Sequence, residues 1–143
     1  MARLGRLAWQ RRAPVEAEGF LERAVAGGGH ATAWFDLGLL RQDTRKFGSA
    51  AEAYRRVLEM RPDAPEAAVN LGVVLQETGD IHGAMAAYSL AYGLSPSTFG
   101  VIAMALASAP SGRLWLDEEA LRRLLAGGAP ASGAKPLAVD TGR

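Results

Sequence analysis

The chain has 143 residues, an apolar share ordinary for a globular protein, and 16 basic against 15 acidic side chains, which fits one domain. Cysteine is absent, so disulfides, thiolate nucleophiles and cysteine-based metal sites are excluded. No run reaches the roughly 18 apolar residues of a membrane-spanning helix, and Met1 to Arg12 lack the continuous apolar core of a secretory signal, so a cytoplasmic location is the expectation.

The first thirty residues carry five arginines and three acids. Arg3, Arg6, Arg11 and Arg12 beside Leu4, Leu7, Ala8 and Trp9 suit either a membrane-surface helix or the first helix of a hairpin. The Leu4-Gly5 pair favours the hairpin, because Leu37-Gly38 recurs in the next segment. Membrane contact by this basic stretch is therefore not expected. With that alignment, Ala17, Leu21, Ala24 and Gly29 fall where Ala50, Tyr54, Val57 and Pro62 fall, with one residue deleted before Ala31.

Residues 31–64 and 65–98 align without a gap. Nine places are identical: Ala33/Ala67, Leu37/Leu71, Gly38/Gly72, Gln42/Gln76, Thr44/Thr78, Ala50/Ala84, Ala53/Ala87, Tyr54/Tyr88 and Pro62/Pro96. Each copy reads as two helices. The first runs from about Ala31 to Thr44, with Trp34, Leu37, Leu40 and Arg41 on one stripe. Gly38 lies inside it, where glycine costs about 1 kcal/mol relative to alanine; a closely approaching helix explains that cost, and Gly72 repeats it. The second helix runs from Phe47 to Met60, and its counterpart from Ile81 to Leu94. Ala50, Ala53, Tyr54, Val57 and Leu58 have amphipathic helical spacing, as do Ala84, Ala87, Tyr88, Ala91 and Tyr92. Pro62 and Pro96 stop these helices. The turns are Thr44-Arg45-Lys46 and Thr78-Gly79-Asp80. Gly79-Asp80 signals a turn and a helix start. Arg45 has no such freedom and is expected in a less comfortable backbone conformation.

Residues 99–109 would open a further copy but abandon the pattern, with Val101, Ile102, Met104, Ala105 and Leu106 apolar on most sides. Pro110-Ser111-Gly112 breaks the chain. Asp117 reads as an N-cap, Glu118 and Glu119 favour the helix dipole, and Leu116 and Leu121 are spaced for a staple. Leu121, Leu124 and Leu125 give that helix an apolar stripe able to cover the preceding helix; left uncovered, these C-terminal helices would offer a subunit contact. Residues 127–143 read as a disordered tail.

A period of 34 with Trp34-x2-Leu37-Gly38, Ala50-x3-Tyr54 and Pro62, matched by Leu71-Gly72, Ala84-x3-Tyr88 and Pro96, resembles the tetratricopeptide repeat (TPR) family. The resemblance implies an all-α fold: a right-handed helical solenoid of about three helix hairpins plus two C-terminal helices. It divides the chain into a degenerate copy (1–30), two full copies (31–64 and 65–98), capping helices (99–126) and the tail. It also implies a non-catalytic adaptor or scaffold that binds a peptide or helix of another protein in a concave groove lined by the first helices. The groove positions are Thr32, Phe35, Asp36, Leu39, Gln42 and Asp43, then Glu66, Val69, Asn70, Val73, Gln76 and Glu77. In the degenerate copy they include Arg3, Arg6 and Trp9. The carboxylate clamp of some relatives would need basic side chains where Ala2, Arg6, Asp36 and Glu66 stand, and only Arg6 suits; Asn70 matches the groove asparagine that can bond a peptide backbone.

No constellation points to an enzyme, a cofactor or a metal. His30 and His82 lack second ligands at metal spacing. Gly27-Gly28-Gly29-His30 follows a helix and lacks the Gly-Lys-Ser/Thr ending of a phosphate loop. Asp117-Glu118-Glu119 is explained by capping. Residues 65–98 contain no lysine or arginine, which interrupts any basic stripe and argues against nucleic acid. Two rival readings share the same groove: a small TPR chaperone for a secreted or membrane-inserting substrate, and a detached substrate-recognition module for a separate enzyme.

Overall fold

The computed structural model describes residues 13–108 and 118–127. They are helical, with no strand among them, as the all-α helical-repeat class requires. In chain order they form α1 (Ala13–Ala26), α2 (Ala31–Asp43), α3 (Phe47–Met60), α4 (Pro65–Glu77), α5 (Ile81–Leu94), a 3-10 turn (Pro96–Thr98), α6 (Phe99–Ala107) and α7 (Glu118–Gly127). The putting of Leu4-Gly5 and Arg6 on a helix, the Asp117 cap and the tail fall outside the described residues. The chain divides into two compact units, Met1–Pro62 and Asp63–Arg143.

In the first unit α2 and α3 pair as a hairpin and α1 packs on α2. Leu37, Ala50, Ala53 and Tyr54 are fully buried. Gly38 lies under the Tyr54 ring: a Cβ there would stand 2.6 Å from Tyr54 Cε1, closer than van der Waals contact allows. The Tyr54 hydroxyl reaches across to donate to Gln42 Oε1 at 2.6 Å. Glycine, tyrosine and glutamine thus form one device, in which the missing Cβ admits the ring and the amide satisfies its buried hydroxyl.

The α2–α3 turn closes with Arg45 N–H to the Gln42 carbonyl (3.0 Å) and Lys46 N–H to the Arg41 carbonyl (2.7 Å), a Schellman-type end. Arg45 accordingly takes φ 64°, the strained backbone its position implies, with its guanidinium 5.3 Å from the Phe47 ring centroid. Thr44 Oγ1 donates to the Leu40 carbonyl at 3.0 Å, tying off the helix end.

α1 departs from the simple alignment. Glu18 and Val25 are buried, whereas Ala24, set opposite Val57, is exposed. The cause is electrostatic. Glu18 accepts from Lys46 Nζ (2.8 Å) and Arg41 Nε (3.3 Å), and Glu22 from Arg41 NH2 (3.3 Å). These bonds turn α1 so that a carboxylate, not an alanine, faces α2.

The second unit repeats the hairpin with α4 and α5. Pro65 opens α4, where its missing N–H costs nothing. Tyr88 lies over Gly72 even more closely than Tyr54 over Gly38, and its hydroxyl donates to Gln76 Oε1 at 2.7 Å. Burial, and secondarily the Glu77 carboxylate, hold this hydroxyl well above the ordinary tyrosine range, so it remains a neutral donor. The turn uses Gly79 at φ 90°, and Asp80 caps α5 by accepting from Gly83 N–H at 2.9 Å.

α7 packs mainly on α5 rather than on α6. Its Leu121 and Leu125 are buried, and Arg122 sits 3.9 Å over the Phe99 ring. It therefore covers α5 and the start of α6, leaving Val101 and Met104 exposed.

Candidate functional site

The candidate site is the outward face of the first helices, taken unit by unit. On α2, Thr32, Asp36, Leu39 and Asp43 are exposed. Their spacing of four, three and four residues places them on a single stripe. On α4, Glu66, Asn70, Val73 and Glu77 repeat that stripe 34 residues later, with Glu66 and Glu77 exposed and Asn70 and Val73 half-buried.

Four of the expected positions are not free. Phe35 is half-buried with its ring centroid 5.8 Å from that of Tyr54. Gln42 and Gln76 accept the hydroxyls of Tyr54 and Tyr88, and Gln76 Nε2 also donates to the Ala105 carbonyl at 2.8 Å. Val69 is 8% exposed. The correction has one physical cause. These residues lie a step round the helix, where they meet the second helix of the hairpin or, on α4, a helix flanked by both α5 and α6. Arg3, Arg6, Trp9 and Ala2 fall outside the described residues.

Charge on the stripes is of one sign. The single arginine of α2, Arg41, is turned to Glu18, Glu22 and the Ser49 carbonyl (3.2 Å). α4 has no cation. Asp36, Asp43, Glu66 and Glu77 enter no ion pair among the described residues.

Met104 was legible in the sequence but not read as part of the site. α6 begins at Phe99, 34 residues after Pro65, so Gly100, Met104 and Ala107 continue the positions of Glu66, Asn70 and Val73. All three are exposed. Extending the repeat count past residue 98 would have found them; the loss of the Leu-Gly pair hid it.

The described residues contain no group of His, Asp or Glu arranged to hold a metal and no helix long and apolar enough to cross a membrane. No curated protein matches the chain. Residues 35–97 match the family model for the tetratricopeptide repeat. Such repeats generally mediate protein–protein interaction and are typically non-catalytic, and this stretch of the chain is a tetratricopeptide repeat region.

Proposed function

We propose that the chain is a non-catalytic adaptor whose first helices bind a peptide or helix of a partner protein. One observation supports this above the others. The same four helix phases face outward on α2 and α4, and each stripe sets an apolar side chain, Leu39 or Val73, between polar and acidic ones. Six of these eight positions are exposed, and Asn70 and Val73 are half-buried, which supports the reading of this stripe as the face a partner meets.

The test is capture on the immobilised full chain, identification of the bound protein by mass spectrometry, and measurement of its affinity once purified. Leu39→Asp and Val73→Asp should each weaken that affinity by about 2 kcal/mol, the scale of a buried interface anchor, with helicity retained. Undiminished affinity in both variants, with circular dichroism unchanged, would sink the reading.

A further inference from the structure

In the second unit the exposed stripe of α4 has a neighbour. The bond from Gln76 Nε2 to the Ala105 carbonyl brings α6 against α4, and the shared 34-residue phase sets Met104 at the position of Asn70. Met104 is 73% exposed. An exposed thioether is an adaptable apolar contact, and here it lies on the helix packed next to the one that carries half-buried Val73.

Among the described residues the acids of this face form no ion pair. Glu66 and Glu77 lie at the two ends of the α4 stripe, eleven residues apart, about 16 Å along a helix axis. No lysine or arginine occurs anywhere from residue 63 to 108. Asp80, the other acid near the end of α4, is engaged in capping α5. With no lysine or arginine on α4, α5 or α6, an incoming cation meets two carboxylates that no described residue pairs, while an acidic segment is repelled at both ends.

We infer that the α4–α6 face takes a basic amphipathic helix of a partner protein, its two cations set against Glu66 and Glu77 and its apolar side chains over Val73 and Met104. The inference rests on the reading of the first-helix faces as partner-binding and adds to it the sign and layout of the partner.

Three synthetic helical peptides serve as probes, each labelled with fluorescein and read by anisotropy against the full chain. The first carries lysines eleven residues apart with leucines between them on one face. The second has glutamates for the lysines, and the third has serines for the leucines. The lysine–leucine peptide should bind best and lose affinity as salt rises. Reversing both acids, Glu66→Lys with Glu77→Lys, should weaken it roughly tenfold. The milder Glu66→Gln with Glu77→Gln should give a smaller loss, so the outcome does not depend on a variant that misfolds. Met104→Ser should weaken it several-fold. Glu52→Lys with Glu59→Lys, the same change of net charge on exposed positions of α3, should leave it unchanged. Equal binding of the glutamate–leucine peptide would overturn the basic preference while leaving an apolar partner face in place. Binding indifferent to the α4 and α6 variants, or no binding of the lysine–leucine peptide, would overturn the inference itself. A captured partner whose binding fails with Val73→Asp but whose docking segment is acidic would do the same without touching the adaptor reading.

Discussion

The glycine under each tyrosine makes a sharp prediction. In an exposed helix, glycine to alanine gains about 1 kcal/mol of propensity. At Gly72 that gain is opposed by the Tyr88 ring, against which a new methyl would collide. The ring cannot retreat, because its hydroxyl is held by Gln76 and its body is fully buried. Gly72→Ala should therefore lower stability, and Gly72→Leu should cost on the order of 1–3 kcal/mol or more. Pairing Gly72→Ala with Tyr88→Leu should recover part of the loss, and a double-mutant cycle from thermal melts measures the coupling. A higher melting point for Gly72→Ala alone would reject the contact. The turn residue Arg45 predicts the opposite sign. Its φ of 64° costs an L-residue roughly 1–2 kcal/mol, partly offset by the stacking on Phe47, worth about 0.5–1 kcal/mol. Arg45→Gly should raise the melting point slightly, and the equivalent Gly79→Arg should lower it. Much of this was legible beforehand. Glycine inside a helix and a missing turn glycine are both departures from local preference, so they announce a tertiary cause. The pairing of Gln42 and Gln76 with the tyrosines was not legible. A glutamine repeated on a first helix suits a groove as well as a hydroxyl partner, and only the reach of the ring across the hairpin decides between them.

At the scale of the element, α1 is held by charge where the other hairpins are held by apolar packing. The bond from Lys46, then that from Arg41, lowers the Glu18 carboxyl below its ordinary value, against the opposing effect of burial. A carboxylate whose pKa is depressed on folding stabilises fully above its unfolded pKa, and that stability is lost as pH falls through the folded value. Glu18→Gln should therefore cost on the order of 1–2 kcal/mol at neutral pH. The gap between wild type and variant should close as pH drops below the ordinary value of 4.5. Melts across that window check it, and a gap constant down to strongly acid pH would assign Glu18 a packing role only. The sequence placed α3 and α5 at their observed bounds because proline, alanine spacing and tyrosine all agree there. It misjudged which face of α1 is buried, because apolar periodicity cannot foresee a buried carboxylate whose partners lie 23 and 28 residues away. For the same reason α7 was expected to lie on α6: its leucine stripe says that something is covered, but not which helix.

Across the whole chain, charge is segregated. The stretch up to Pro62 carries most of the arginines, and 63–108 carries none. Binding to the two stripes should consequently differ in salt response when measured on variants that disable one stripe at a time. The persistence of the 34-residue phase into α6 has a further consequence. Ala64-Pro65 and Thr98-Phe99 are equivalent junctions, each entering a first helix at the same point of the period. A segment bounded by equivalent junctions behaves as an interchangeable cassette, since adjacent repeats contribute nearly additive stability. Inserting a second copy of residues 65–98 after Thr98 should give a longer folded chain, with helical signal rising in proportion and a higher midpoint in denaturant. A collapse of cooperativity on insertion would mean that α6 is tailored to the one α4 it now follows. The same junctions are where a lineage could lengthen or shorten this protein by whole repeats, changing how many stripes it displays without redesigning any of them.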